Sequence, residues 1–352
     1  MVNLQDLLVQ GLERGASDLH VVARARPIFR INTELVTAQA DEVAPDEAAN
    51  MVRELVGTRR YAQFLRRRDL DFSAEVPGRG RFRVNAHFQR DTVSIAFRAI
   101  PSKVPKLEAL GLPPVITSFT ELPRGLVLVT GETGAGKSTT LASMIDRINH
   151  RYGYHVITME DPIEYELVGD KCIIEQREVG SDVPSFESGL RHVLRQDPDI
   201  ILVGEMRDLE TTRAAITAAE TGHLVLSTLH TQSAAQTVER IIDIYPAEQQ
   251  NQIRAMLANT LQAVVSQTLF KRSDRPGMVP AAEVLVVNNA TRACIRENRI
   301  FEIPNIIQTG AQKGMITLDG SIKALYLNGQ ISKEDALGRA NLREWMNQSL
   351  SA

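Results

Sequence analysis

The chain has 352 residues, enough at about 150 residues per domain for two domains with cores of their own. Hydrophobic residues make up 43% and charged residues 24%, which excludes a disordered, collagenous or coiled-coil chain. Aromatics at 5%, and 40 Lys+Arg against 43 Asp+Glu for a net charge of -3, argue against an aromatic platform or strong basic field for nucleic acid. Cys172 and Cys294 are far apart and no CxxC occurs, so neither a disulfide framework nor a zinc knuckle is expected, and the expected compartment is a reducing cytosol. The N-terminus lacks the basic stretch and apolar core of a signal peptide, and no apolar run approaches the roughly 18 residues of a membrane span. Any membrane role is expected to be peripheral.

In chain order, Leu4, Leu7, Leu8 and Leu12 recur at helical spacing and stop at Gly15, which predicts a short amphipathic helix. A second helix is expected near Pro45 to Leu55. Between Asp69 and Arg98 the period becomes two: Phe82, Val84, Ala86 and Phe88 share one strand face, with Arg81, Arg83, Asn85 and His87 on the other, and Val93, Ile95 and Phe97 alternate with Ser94, Ala96 and Arg98. Residues 1–99 are therefore expected to form a small α+β domain around an antiparallel sheet. Pro101, Pro105, Pro113, Pro114 and Pro123 make 100–123 a semi-rigid linker. Beyond it, apolar runs at Leu126–Thr130, His155–Met159, Ile200–Val203 and Leu224–Ser227 alternate with helical patterns, the mark of a parallel α/β sheet. Ile253, Met256, Leu257, Leu261, Val264, Val265 and Leu269 give a helical stripe over Glu248 to Phe270, and helices are expected to dominate from there to the C-terminus.

Gly131-Glu-Thr133-Gly134-Ala135-Gly136-Lys137-Ser138 matches G-x-x-x-x-G-K-[ST], directly after a predicted strand and directly before a helix pattern that begins at Thr139. In such a loop backbone N–H groups close around phosphate and the helix N-terminus favours the anion. Lys137 reaches the β- and γ-phosphates, and the Ser138 hydroxyl ligates Mg²⁺. The alternative is an ordinary glycine-rich turn. Ile200-Ile-Leu-Val-Gly-Glu205 is an apolar strand ending in a carboxylate placed to support Mg²⁺ through water or to orient the attacking water. Ile157-Thr-Met-Glu160-Asp161-Pro-Ile-Glu164-Tyr165 puts carboxylates at the end of another strand, and Pro162 forces Glu164 onto a loop expected on the γ-phosphate side. One of Glu160, Glu164 and Glu205 is expected to orient the nucleophile. His223 and His230 bracket the fourth strand, where a γ-phosphate sensor and a structural histidine are equally consistent with the pattern.

These four segments, in this order and spacing, resemble the secretion ATPase superfamily of RecA-like hexameric motors. The resemblance is strongest to the PilT family of type IV pilus retraction ATPases. It runs nearly end to end, through Gly15-Ala-Ser-Asp18-Leu-His20, Gly80-Arg-Phe-Arg83-Val-Asn85, Phe97-Arg98-Ala-Ile-Pro101 and Leu194-Arg195-Gln-Asp-Pro-Asp199. It implies a PAS-like N-terminal domain over 1–99 and a RecA-like P-loop ATPase domain over 124–352 with a helical C-terminal region. It further implies a homo-hexamer with ATP and Mg²⁺ at subunit interfaces, acting in the cytoplasm against a platform protein of the inner membrane at the pilus base. Among the residues, the resemblance implies that Glu164 orients the attacking water and Glu205 supports the metal, while Arg83 and Arg98 reach nucleotide from the N-terminal domain. Extension and type II secretion ATPases carry a long extra N-terminal domain and usually a four-cysteine zinc insertion; neither is expected here, which favours the retraction branch. The retraction family's A-I-R-N-L-I-R-E motif reads here Ala290-Thr-Arg292-Ala-Cys-Ile295-Arg296-Glu297, which keeps an accessory PilU-like role as the alternative. A RecA-type nucleic-acid motor would share the core fold, but the charge balance counts against it. A nucleotide-binding scaffold without turnover would lack the carboxylates or Lys137, and both are present.

Overall fold

The computed structural model describes residues 2–31, 34–100 and 103–350; Met1 and the linker's Pro101 lie outside the described residues. Two compact units emerge, Met1–Lys103 with Pro162–Glu166, and Val104–Asp161 with Leu167–Ala352.

The first unit opens with helix α1 (Leu4–Glu13), whose N-terminus is capped by the Asn3 side chain accepting from the Gln5 and Asp6 amides. Strands β1 (Asp18–Val22), β2 (Ile28–Ile31) and β3 (Glu34–Thr37) follow. Then come helix α2 (Pro45–Arg67) and strands β4 (Asp69–Val76), β5 (Gly80–Gln89) and β6 (Thr92–Ile100). Pro45 sits at the first helical turn of α2, where its missing N–H costs nothing, and Glu47 caps the Ala44 amide at 3.0 Å. The helix runs past the expected Leu55 but breaks at Gly57, where φ is 70°. The six strands form an antiparallel sheet in the order β3-β2-β1-β6-β5-β4. Its apolar side carries Phe82, Val84, Ala86, Val93, Ile95 and Phe97, all buried in one cluster with Phe29 and with Met51, Val52 and Phe64 of α2. Phe97 is fully buried and meets Phe82 edge to face at 6.2 Å between ring centroids.

In the second unit, 3-10 turns at Leu107–Ala109 and Pro114–Glu121 occupy much of the proline-rich stretch and bury Leu107, Ile116 and Phe119. The α/β layers then run β7 (Gly125–Thr130), α3 (Lys137–Arg151), β8 (His155–Glu160), β9 (Ile173–Glu178), α4 (Phe186–Val193), β10 (Ile200–Val203), α5 (Leu209–Glu220), β11 (Leu224–Leu229) and α6 (Ala234–Asp243). Every residue of β7, β10 and β11 is buried, as strands covered by helices on both faces require. Helix α7 (Gln250–Thr260) leads into β12 (Leu261–Lys271) and β13 (Met278–Val286), which complete a seven-stranded sheet in the order β13-β12-β7-β11-β10-β8-β9. All neighbours are parallel except β12 and β13. One apolar cluster packs α5, α6 and α7 on one face of this sheet; a second packs α3 and the 3-10 turns on the other. The C-terminal region holds α8 (Asn289–Arg296), α9 (Ile303–Thr309), α10 (Leu318–Leu327), α11 (Lys333–Arg339) and α12 (Arg343–Ser349). Among the described residues no helix is long and apolar enough to cross a membrane.

The helical reading of Glu248–Phe270 is corrected by the structure: the helix ends at Thr260 and the rest is strand. Leu261, Val264 and Val265 satisfy helical spacing only because a strand buried on both faces also places apolar residues at nearly every position. Strand β12 lies between β7 and β13, and the consecutive valines, stiff at χ1, favour the pleated backbone. Strand β13 was likewise absent from the sequence reading.

Two outcomes follow for the first unit. Phe97→Ala should destabilise it by about 3–5 kcal/mol, the usual cost of emptying a buried phenyl site, seen as accelerated amide exchange over residues 80–100 in the full chain. Unchanged protection there would mean that the core relaxes around the cavity. The second concerns Asp18. Burial raises its pKa, but hydrogen bonds from Arg98 and Ser17 with the charges of Arg98 and His20 outweigh burial and hold the carboxyl below its ordinary 3.8. As pH falls below 3.8 the unfolded chain takes up the proton first, so this contribution is present above 3.8 and is lost through the lower folded pKa. Asp18→Asn should therefore lower the unit's stability at neutral pH and narrow its gap from wild type below pH 3.8; a gap independent of pH would refute the assignment.

Candidate nucleotide site

Because β7, β11, β10 and β8 are parallel neighbours, their C-terminal ends share one edge of the sheet. That edge gathers the loop after Thr130, His230, Glu205 and Glu160. Strands about 4.8 Å apart put the tip of β10 roughly 10 Å from that of β7, a span suited to a triphosphate and its metal.

The loop Gly131–Gly136 turns directly from β7 into α3, with φ of 138° at Gly131, 82° at Gly134 and 85° at Gly136. At Gly131 a side chain would collide with the main-chain oxygen of Gln267, so only glycine fits. Lys137 is buried at 9% exposure, and its Nζ donates to the carbonyl oxygens of Gly131 at 2.8 Å and Glu132 at 2.9 Å. Its ammonium thus lies folded over the loop. Ala135 is buried, Thr133 exposed, and Ser138 and Thr139 half-buried in the first turn of α3. The N-terminal amides of this fifteen-residue helix and its dipole open toward the loop.

Beside it, Glu205 follows β10 with its side chain 17% exposed. One carboxylate oxygen meets His230 Nε2 at 3.3 Å and the other Arg207 at 2.8 Å. The structure thus joins His230 to Glu205 and separates His223, which lies at the opposite end of β11 with Nδ1 2.9 Å from the Ala218 carbonyl oxygen. Glu160, at the tip of β8, accepts from Thr158 at 2.6 Å and Gln176 at 3.1 Å. Among the described residues no group of three or more His, Cys, Asp or Glu forms a metal cage. The Ser138 hydroxyl and Glu205 carboxylate are hard oxygen donors of the kind that suits Mg²⁺ held largely by phosphate and water.

Two contacts at this edge were missed by the sequence reading. Gln232, just beyond His230, donates to Glu132 of the loop at 2.9 Å. Helix α6 behind it is fixed by its Ser233 cap and by Glu283, which accepts from the Ala234 amide at 2.8 Å. Burial raises the Glu283 pKa against the lowering effect of that amide. The second is Gln267, buried in β12 with its amide nitrogen 2.6 Å from the Ala135 carbonyl oxygen. Its signal in the sequence is a polar step, Ser266-Gln267-Thr268, between apolar residues.

In the first unit, the sheet register sets Arg30, Asp18, Arg98, Arg83 and Ser73 side by side across five strands. Arg98 Nε donates to Asp18 at 2.9 Å, and Arg83 is exposed. The segment Pro162–Glu166 also groups with this unit. In it Glu164 is half-buried between the buried Ile163 and Tyr165. Glu160 and Glu164, four positions apart in sequence, belong to different units.

Residues 2–303 match the family model described as type II/IV secretion system protein. The chain is 45% identical over 343 residues to the type IV pilus retraction ATPase PilT of Pseudomonas aeruginosa, covering 97% of this chain and 99% of that one. It is 37% identical over 340 residues to the type IV pilus ATPase PilU of the same organism, covering 97% and 89%. The crystal structure of the pilus retraction motor PilT with bound ADP matches with a TM-score of 0.91 at 40% identity, covering 99% of this chain and all of that one. With the phosphate loop, the carboxylate of β10 and the two-unit architecture all in place, the chain belongs to the type II/IV secretion ATPase family.

Proposed function

We propose that this chain is an ATP-hydrolysing motor that powers type IV pilus retraction. The observation that carries the reading is the phosphate loop with its buried Lys137, set on the same sheet edge as the Glu205–His230 pair, in a chain similar over nearly its whole length to PilT. The loop amides, the α3 N-terminus and Lys137 hold the phosphates. Ser138, and Glu205 through water, would hold the Mg²⁺ that accompanies ATP, which would supply charge neutralisation at the phosphates. Glu164 accepts a hydrogen bond from the attacking water and orients it, since phosphoryl transfer asks the protein mainly for positioning and charge stabilisation. His230, bonded to Glu205, ties that carboxylate to the end of β11. Arg83 and Arg98 supply planar guanidinium donors to nucleotide held on a neighbouring subunit. The assembly that this requires is a homo-hexamer, working in the cytoplasm against an inner-membrane platform protein at the pilus base. PilU-type accessory action is the second reading, favoured by the three changed positions of the 290–297 motif.

Four measurements bear on these roles. Lys137→Ala should lose most ATP affinity or turnover in a folded protein, because the lysine bonds loop carbonyls and phosphate rather than apolar core; normal hydrolysis would sink the site. Glu164→Gln should bind ATP·Mg²⁺ yet turn it over about 10²–10⁴-fold more slowly, and near-normal kcat would shift the water-orienting role to Glu205 or Glu160. Specific activity should rise with protein concentration, with Arg83→Ala and Arg98→Ala depressing turnover while leaving the fold; monomeric protein with full, arginine-independent activity would overturn the shared site. Deleting the gene should leave cells with abundant pili that do not retract, whereas bald cells would indicate pilus extension.

A further inference from the structure

The phosphate loop is gripped from behind by a single residue of the neighbouring strand. Ser266 of β12 pairs in register with Thr130, the last residue of β7, and their hydroxyls lie 2.8 Å apart in the core. Gln267 comes next, at the point where β7 turns into the loop. Its main-chain oxygen lies against Gly131, the first loop residue, close enough that any side chain there would collide with it. Its side-chain amide donates to the Ala135 carbonyl oxygen, near the loop's end, at 2.6 Å. Its side-chain oxygen accepts from Thr140 Oγ1, in the first turn of α3, at 3.0 Å. At 4% exposure, both polar ends of the amide are used inside the core and neither faces the nucleotide side through water.

We infer that Gln267 is the positioning residue that holds the phosphate loop in its phosphate-binding shape. A loop that turns its N–H groups inward to an anion turns carbonyls outward, and an outward carbonyl that meets protein needs a donor. Gln267 supplies that donor at Ala135. Glutamine suits the position because one planar group both donates and accepts at fixed separation. Methionine matches its length but offers neither a donor nor a strong acceptor, and glutamate would set an acceptor against the Ala135 carbonyl. The hydroxyl of Thr140 also lies 3.2 Å from the Gly136 carbonyl oxygen, so the same network reaches the residue that caps α3. Because the loop amides hold phosphate in the ground state and the transition state alike, loosening the loop should act mainly on affinity rather than on the chemical step.

The role rests on the loop's being the nucleotide site, and the experiment separates the two. ADP affinity and steady-state ATP hydrolysis of the full chain would be measured for wild type, Gln267→Met, Thr140→Val and the double variant, with amide exchange over residues 131–137. Gln267→Met should weaken ADP binding and raise KM roughly tenfold with kcat within about twofold. Exchange should accelerate in the loop while β7 and the second half of α3 stay protected. Thr140→Val should weaken binding less, and the double variant should fall short of the product of the two single effects. Wild-type ADP affinity and loop protection in Gln267→Met would overturn the inference. If Gln267→Met fails to fold, Thr140→Val decides it, since unchanged affinity and loop exchange there would overturn it too. Failure of wild type itself to bind ADP would instead overturn the nucleotide site.

Discussion

A loop that wraps a phosphate must aim successive amides at one point, and no regular secondary structure does this. The conformations it needs lie at positive φ, as at Gly134 and Gly136, where side chains other than glycine are strained. Glycine admits the conformation without enforcing it, so the shape must be imposed by what surrounds the loop. Here the surroundings are strand β7 entering on one side, helix α3 leaving on the other, and Gln267 of β12 behind. The sheet order places β12 and β11 on the two sides of β7. The phosphate loop is therefore built inside the sheet of the second unit, at the end of a strand buried along its whole length.

The first unit faces a different constraint. Placing Arg98 directly opposite Arg83 in an antiparallel sheet is unfavourable when nothing offsets the like charges. Asp18, opposite both Arg98 and Arg30, neutralises one guanidinium of the row, so this row stays net positive, while Asp69, Asp71 and Glu75 of β4 balance the rest of the face. Arg98's side chain is 74% exposed while that of Asp18 is 13% exposed, so the carboxylate is the inner partner and the guanidinium keeps donors facing solvent.

Much of this was legible in the sequence because the signals were local and periodic. Phe82, Val84, Ala86 and Phe88 could only alternate on a strand, and Gly131 to Ser138 carried the loop whatever lay around it. The reading failed where a pattern served two structures. Leu261, Val264 and Val265 fit a helix and a doubly buried strand equally, and only the positions of β7 and β13 decide between them. Gln267 was invisible for the same reason, since once that stretch is read as helix a buried glutamine in it has nothing to hold. The partition of Glu160 and Glu164 was hidden by their nearness in sequence, for Pro162 changes the chain's direction without showing where it goes.

The altered 290–297 segment changes mainly inward while keeping its charged residues. In α8, Thr291 and Cys294 are buried, at 0% and 3% exposure. They differ from the family pattern at positions that face the core. Arg292, which matches the pattern, donates to the Ala258 and Asn259 carbonyl oxygens at 2.6 and 3.1 Å. It thereby closes the C-terminal end of α7, where a cation is favoured by the helix dipole, and its part is structural. Arg296 and Glu297 remain exposed. A smaller Cys294 and a hydroxyl-bearing Thr291, whose Oγ1 lies 3.2 Å from Asn288 Oδ1, repack the inner side of the helix. The charges that a neighbouring molecule would meet are unchanged. The changes at Thr291 and Cys294 therefore act first on how α8 seats against its own unit, whereas Ala293, the third departure, is half-buried and replaces a polar side chain at the helix surface.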